Sequence, residues 1–302
     1  MFDAHPQMAI PGESVFIASM ASKERRYRRD GAFAVDRFVA DLVVHPWFVH
    51  WGLPEGTVRQ TLQASRPGSF SDAIRTVFAL YASLRGKQRY GDKTPVYVLC
   101  APLLARLFPE ARFIHLIRDG RDVALSLQEL PWGPGDLRRA VLYWKRHVTR
   151  GRKAGVWLGP DRYCEVRYEA LLEDPEGTLR DLCAFIELEF DPAMLRYPVH
   201  ADELASGFSS EERQIHRHLH RSPTKGLRDW RSQMSREEVA VVEALIGDLL
   251  EELGYERATQ PRFGLWLGAR MTELGEQADR VQHRLGEIRG ALAGSWLRAR
   301  NS

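Results

Sequence analysis

The sequence has few cysteines, and their arrangement excludes two kinds of protein. Cys100, Cys164 and Cys183 lie far apart, their number is odd, and none belongs to a Cys-x-x-Cys pair. Disulfide frameworks and structural zinc sites need paired or closely spaced cysteines. The sequence therefore predicts neither, and we expect a protein of the reducing cytoplasm.

Long apolar runs and an excess of one charge are also missing. No stretch approaches the ~20 apolar residues that a membrane span needs, and the N-terminus does not resemble a secretion signal. The formal net charge is +3, and residues 256–302 account for all of it with eight Arg, four Glu and one Asp. A neutral body argues against a nucleic-acid binder that uses a broad basic face.

Two phosphate-binding motifs and a metal-ligand pattern are absent as well. Neither GxxxxGK[ST] nor GxGxxG occurs, so a nucleotide phosphotransferase would lack its lysine. The "HRHLH" segment at 216–220 could ligate zinc if extended, but it has no Cys or carboxylate partner at metal spacing. We favour a solvated loop there and expect no metal.

What is present is a pattern of helices alternating with strands. Apolar runs predict strands at Phe113–Ile117 and Arg162–Tyr168, each followed by a helix, which indicates a parallel α/β sheet. Apolar periodicity and capping residues predict helices over residues 35–45, 71–86, 95–108, 121–130, 175–188 and 235–254.

Three end signals are specific. Thr94 is predicted to cap the helix that opens at Pro95, and Ser235 and Glu238 form a capping box on the helix that stops at Gly254. No linker occurs before about residue 255. We therefore predict one main domain over 1–255 and an amphipathic, basic helical extension over 256–302. The extension could dock on the domain, pair with a partner helix in a homodimer or contact an anionic membrane, and we favour the first two because such helices usually bury their apolar face on protein.

Arg118 ends the first strand abruptly. In parallel α/β sheets, ligands bind beyond the carboxyl ends of strands, where helix N-termini attract anions. A guanidinium at Arg118 and a hydroxyl at Ser126 could bind one phosphate. Alternatively, the arginines of "RDGRD" only pair with Asp119 and Asp122, and this stretch alone does not decide between the two.

An ordered set of motifs identifies a family. The segments, in chain order, are "DAHPQMAIPGES", "GDKTP" (91–95), "LARLFPEARFIHLIRDGRDVALS" (104–126), "VRYEALLEDP" (166–175) and "TKGLRDWRSQMS". Together they resemble sulfotransferases that use 3'-phosphoadenosine 5'-phosphosulfate (PAPS), and are most similar to a bacterial branch that resembles tyrosylprotein sulfotransferases. The resemblance covers roughly residues 1–255 and implies a P-loop-NTPase-like parallel sheet flanked by helices.

The resemblance also implies how the cosubstrate is bound. Arg118 and Ser126 match the pair that binds the 3'-phosphate, and Tyr168 matches the tyrosine that contacts the adenine. Lys225 matches a late basic residue that reaches the cosubstrate. Alternatively, Tyr168 is a core residue with a solvated hydroxyl, and Lys225 is a solvated loop residue.

Two further residues match the chemistry of sulfuryl transfer, which releases 3'-phosphoadenosine 5'-phosphate (PAP). Glu13 matches a general base that deprotonates the acceptor, and Lys93 matches the lysine that stabilises the transition state and leaving group. The structural alternatives are that Glu13 caps the following segment and that Lys93 only pairs with Asp92.

The family pattern opens with a strand and a Gly-x-x-Arg-Ser-Gly-Thr-Thr loop before a segment like "MLDAHP", whereas this sequence begins "MFDAHP". We expect that the first strand and loop are encoded upstream of an internal start. The alternative is a truncated form or pseudoenzyme that acts as a non-catalytic binding or assembly protein. Losing three charge-assisted hydrogen bonds would weaken cosubstrate binding by roughly a thousandfold.

We expect the acceptor to be a hydroxyl or amine of a small molecule, carbohydrate or peptide, and the sequence does not identify it further. Helices between residues 20 and 90 and the segment 196–222 are expected to form its cleft. Trp47, Trp51 and Tyr81 are the aromatic candidates to line it.

Overall fold

The computed structural model describes residues 1–130, 133–200 and 228–260. The chain divides into two compact units, the first formed by residues 1–118 and 147–225 and the second by residues 119–146 and 226–302. Predictions for Lys225, for "HRHLH" and for most of the C-terminal extension fall outside the described residues.

All six strands in the described residues belong to the first unit. The strands are β1 (Met8–Ala9), β2 (Arg28–Arg29), β3 (Ala32–Phe33), β4 (Arg89–Tyr90), β5 (Phe113–Ile117) and β6 (Tyr163–Arg167). They form three pairs: β1 with β4 and β5 with β6 are parallel, and β2 with β3 is antiparallel. The predicted parallel α/β character is confirmed, and β5 has the bounds that the sequence predicts.

Helices make up most of the remaining structure. Those before β5 are α1 (Phe16–Ala21), α2 (Val35–Val43), α3 (Pro46–Val49), α4 (Glu55–Ser65), α5 (Phe70–Ser83) and α6 (Ala101–Leu107). Those after β5 are α7 (Gly120–Gln128), α8 (Leu137–Leu158), α9 (Tyr168–Glu173), α10 (Pro175–Phe185), α11 (Trp230–Gln233) and α12 (Arg236–Glu252). Short 3₁₀ helices cover Phe2–Ala4, Glu24–Tyr27, Pro95–Leu99 and Pro192–His200.

Aromatic rings form the core of the first unit. Trp51 is 2% exposed and contacts Phe16, Phe78 and Tyr81 with ring centroids 4.7–5.4 Å apart. Tyr81 is also buried, whereas Trp47 is 38% exposed. The expectation that Trp51 and Tyr81 line an acceptor cleft is therefore wrong, because burying these large rings stabilises the helical core.

The predicted helix over 95–108 is divided in two. A 3₁₀ helix covers Pro95–Leu99, and α6 follows after Cys100. Pro102, in the first turn of α6, has no N–H to continue the preceding turn's hydrogen bonds. Thr94 occupies the N-cap position as predicted, but its side chain makes no capping hydrogen bond.

The described part of the second unit is helical. The capping box of Ser235 and Glu238 is present at the start of α12. The helix ends at Glu252, and Gly254 has φ of 77°, a left-handed conformation that glycine adopts without strain. Both end signals of α12 are confirmed.

None of the helices in residues 1–130, 133–200 and 228–260 combines the length and the apolar content that crossing a bilayer requires.

Candidate active site

Glu13 and Lys93 lie in two loops that leave the same edge of a strand pair. β1 and β4 are parallel, with Met8 opposite Arg89 and Ala9 opposite Tyr90. Because the carboxyl ends of parallel strands meet at one edge, the loops that follow them begin side by side. The two loops bring the Glu13 carboxylate to 2.9 Å from the Lys93 ammonium.

This ion pair is partly open to solvent. The exposed fraction of the side chain is 24% for Glu13 and 60% for Lys93. Exposed ion pairs contribute only about 0–1 kcal/mol, so this pair can separate at little cost. Lys93 pairs with Glu13, a contact that the sequence alone does not reveal.

Arg118 and Tyr168 are brought together in the same way by the other parallel pair. β5 and β6 are paired in register, with Phe113 opposite Tyr163 and Ile117 opposite Arg167. Arg118 directly follows β5, and Tyr168 directly follows β6. The Arg118 guanidinium carbon lies 5.3 Å from the centroid of the Tyr168 ring. A cation and an aromatic face are therefore adjacent beyond the carboxyl ends of two parallel strands.

Ser126 belongs to the second unit and lies in the second turn of α7, within the helix that the sequence predicts over 121–130. The helix begins at Gly120, and the Asp119 side chain caps it by accepting a 2.9 Å hydrogen bond from the Arg121 N–H. Lys225, the sixth residue of the predicted site, lies outside the described residues.

The two arginines of the "RDGRD" segment have different surroundings. Arg121 makes ion pairs of 2.7 Å with Asp119 and 2.6 Å with Glu243, which matches the structural alternative for this arginine. Asp122 accepts a 3.0 Å hydrogen bond from the Trp230 N–H. Arg118, in contrast, is at the strand end beside Tyr168.

Polar residues to which the sequence assigned no catalytic or binding role lie beside Glu13 and Lys93. Ser14 is fully buried, Thr94 and Tyr97 are 7% exposed, and Ser14 is hydrogen-bonded to both. Asp92 accepts a hydrogen bond from the Ser14 hydroxyl. The available signal was adjacency, because each candidate catalytic residue has a polar neighbour in the sequence.

Solvent reaches the Asp92 side chain, but protein surrounds it closely on its other sides. The resulting loss of hydration raises the pKa of this carboxyl to about 6, although hydrogen bonds from Ser14 and Thr94 oppose the shift. Burial also raises the pKa of the Tyr97 phenol. In residues 1–130, 133–200 and 228–260, no group of three or more His, Cys, Asp or Glu side chains could hold a metal ion.

The fold and these residues define an α/β protein whose charged groups follow the carboxyl ends of parallel strands. A family model described as "Sulfotransferase family" matches residues 1–192. The chain belongs to the sulfotransferase family, which confirms the resemblance.

Relatives include a nodulation protein, NoeE, of Sinorhizobium fredii, which is 29% identical over 214 residues. That match covers 63% of this chain and 49% of NoeE, so the chain spans about half of its length. A putative protein-tyrosine sulfotransferase of Caenorhabditis briggsae is 22% identical over 269 residues, covering 86% of this chain and 84% of the relative. An omega-hydroxy-beta-dihydromenaquinone-9 sulfotransferase of Mycobacterium bovis is 27% identical over 187 residues, and the match covers 55% of this chain and 41% of that relative.

A solved structure supports the fold. The sulfotransferase domain of the olefin synthase from Synechococcus PCC 7002 aligns with a TM-score of 0.55 at 22% identity. The alignment covers 84% of this chain and 87% of that domain. The chain therefore shares a sulfotransferase fold with it.

Proposed function

We propose that the chain transfers a sulfuryl group from PAPS to a hydroxyl acceptor. The observation that carries this proposal is the direct contact between Glu13 and Lys93. Sulfuryl transfer to a hydroxyl needs a group that removes the acceptor's proton and a cation near the oxygen on which negative charge develops. A carboxylate and an ammonium at one loop edge meet both requirements.

The residues at the other strand edge suit the cosubstrate. PAPS carries a 3'-phosphate, which a guanidinium binds well, and an adenine, which can pack on an aromatic ring. Arg118 and Tyr168 offer these two groups side by side. Ser126 is proposed to add a hydroxyl donor for the phosphate, and Lys225 a further cation.

Each catalytic group has a separate task. When bound, PAPS would supply an activated sulfuryl group. Glu13 would take the proton from the acceptor hydroxyl, and the Lys93 ammonium would stabilise negative charge on the departing oxygen. Their weak, partly exposed ion pair allows an acceptor to enter between them without a large loss of stability.

The names of the relatives favour a hydroxyl over an amine acceptor. One relative is named for protein tyrosine and another for an omega-hydroxy compound. Both names specify a hydroxyl group. A phenolic or alcoholic hydroxyl is accordingly the acceptor class that we propose.

Calorimetric titration with PAP tests the cosubstrate site. We expect PAP to bind more tightly than 5'-AMP, because only PAP carries the 3'-phosphate. Arg118→Ala should weaken PAP binding by roughly tenfold to hundredfold, the effect of losing one charge-assisted hydrogen bond. Arg106→Ala, which removes an exposed arginine on α6, is the matched control and should bind as the unchanged protein does.

Equal affinity for PAP and 5'-AMP, or an Arg118→Ala variant that binds PAP normally, would contradict the proposed site. Preference for ATP with magnesium would favour a phosphotransferase instead. If PAP binds as expected, transfer from PAPS to phenolic and alcoholic acceptors should fall by about 10² to 10⁴ in Glu13→Gln.

A further inference from the structure

Ser14, the neighbour of Glu13, is bonded to one distant segment of the chain through its N–H, its hydroxyl and its carbonyl. Its N–H donates to the Thr94 hydroxyl at 2.8 Å, and its own hydroxyl donates to the Asp92 carboxylate. Its carbonyl accepts a hydrogen bond from the Tyr97 hydroxyl. All three partners lie within six residues of one another, and Lys93 lies among them.

Two of these bonds involve side chains on either side of Lys93. The Thr94 hydroxyl accepts from the Ser14 N–H, and the Asp92 carboxylate accepts from the Ser14 hydroxyl. A hydrogen bond to a carboxylate contributes more than one between neutral groups. These bonds therefore tie Ser14 to the segment that carries Lys93.

The other side of Glu13 is also held. The Gly12 carbonyl accepts a 3.0 Å hydrogen bond from the buried Trp51 indole. Both neighbours of Glu13 are thus fixed, while the Glu13 side chain itself is partly exposed. An exposed ion pair does not by itself hold two flexible side chains in one geometry. The bonds on either side of Glu13 restrain the backbone from which its side chain extends toward Lys93.

We propose that Asp92 is a positioning residue that acts through Ser14 to hold Glu13 against Lys93. The expected effect of Asp92 on the transfer rate rests on the proposed function, whereas its effect on the Glu13–Lys93 contact does not. The charged groups that face Asp92 are Glu13 and Lys93. Both belong to the pair that it positions.

The test is the rate at which an amine-acylating reagent modifies Lys93, followed by mass spectrometry. Contact with Glu13 shields the Lys93 amine and slows its modification. Glu13→Gln removes that contact and should raise the Lys93 modification rate by about twofold to fivefold, the effect expected for an exposed ion pair. We expect Asp92→Ala to raise the Lys93 rate to the Glu13→Gln level. Rates at the exposed Lys23 and Lys153 should not change.

Rescue by a conservative variant separates positioning from general destabilisation. Asp92→Asn keeps an oxygen acceptor for the Ser14 hydroxyl and should leave Lys93 close to its original rate. Ser14→Ala removes only that hydroxyl and should raise the rate, which keeps the test valid if Asp92→Ala does not fold. Asp161→Ala, at an exposed aspartate, is the matched control and should have no effect.

An unchanged Lys93 rate in both Asp92→Ala and Ser14→Ala would overturn the proposal, as would an equal rise at all three lysines. In transfer assays, Asp92→Ala should lower kcat by about tenfold to hundredfold and leave the KM for PAPS unchanged. Absence of transfer by the unchanged protein would count against the proposed function alone, because the labelling result does not depend on turnover.

Discussion

Arg121 is buried although it is charged, with 1% of its side chain exposed. It pairs with the buried Asp119 and Glu243, donates a 2.9 Å hydrogen bond to the Glu256 carbonyl, and stacks 3.8 Å from the Trp230 ring. Glu243 also accepts hydrogen bonds from the backbone N–H groups of residues 258 and 259. One guanidinium thus connects the start of α7 to α12 and the segment that follows it.

Replacing Arg121 should therefore destabilise the protein strongly. Arg121→Met keeps much of the side-chain volume but leaves two buried carboxylates without their cation, at a cost of about 3–5 kcal/mol in the free energy of unfolding. Urea unfolding followed by circular dichroism measures this. Arg138→Met, at an exposed arginine of α8, is the control and should change the free energy by less than about 0.5 kcal/mol. Similar values for the two variants would show that the buried network contributes little.

At the scale of elements, the two parallel strand pairs determine which residues meet. Glu13 follows β1 and Lys93 follows β4, while Arg118 follows β5 and Tyr168 follows β6. The strand that precedes Arg118 was predictable, because four apolar residues and one histidine in an unbroken run of five form a clear signal. The pairing of β1 with β4 was not, because two-residue strands have no detectable period.

Helix α8 packs closely on β6 at Gly155. A Cβ atom at this position would lie 2.2 Å from the Tyr163 ring, whose hydroxyl is bonded to Glu165. Gly155→Ala should therefore lower the free energy of unfolding by about 1–3 kcal/mol, although alanine is the better helix former. Gly56→Ala on α4, where no atom lies within 4 Å, should instead be neutral or stabilise by up to about 1 kcal/mol. Thermal unfolding of the two variants distinguishes them, and a stabilised Gly155→Ala would contradict the close packing.

At the scale of the whole molecule, His115 makes stability depend on pH. Its Nδ1 lies 2.6 Å from the Tyr163 hydroxyl, and burial lowers its pKa from 6.5 to about 4. The folded protein thus disfavours the protonated ring. The stabilisation from a neutral His115 is complete above pH 6.5 and is lost as the pH falls toward 4.

Asp92 changes the pH dependence of stability in the opposite direction, because its pKa is raised in the folded protein. The contribution of His115 is therefore obtained by comparing the unchanged protein with a His115 variant. Between pH 7 and 4, the unchanged protein should lose on the order of 3 kcal/mol of unfolding free energy relative to His115→Gln. Urea unfolding at several pH values measures this difference. A pH-independent difference for His115→Gln would contradict the lowered pKa.

The sequence alone determined the helices with clear apolar periodicity, the strand Phe113–Ile117 and the end signals of α12, because these depend on residues that are neighbours in the chain. The ordered motifs also identified the family, which the match over residues 1–192 confirms. The roles of Glu13, Lys93, Arg118, Ser126, Tyr168 and Lys225 stay predictions.

Only the tertiary structure decided how distant segments meet. Residues 80 positions apart form the Glu13–Lys93 contact, and the hydroxyl of Thr94 accepts a bond from Ser14 instead of capping its own helix. Trp51 and Tyr81 pack in the core instead of lining a cleft. Hydroxyls and aromatic rings satisfy several alternative partners equally well, and only the packing of distant elements selects one of them.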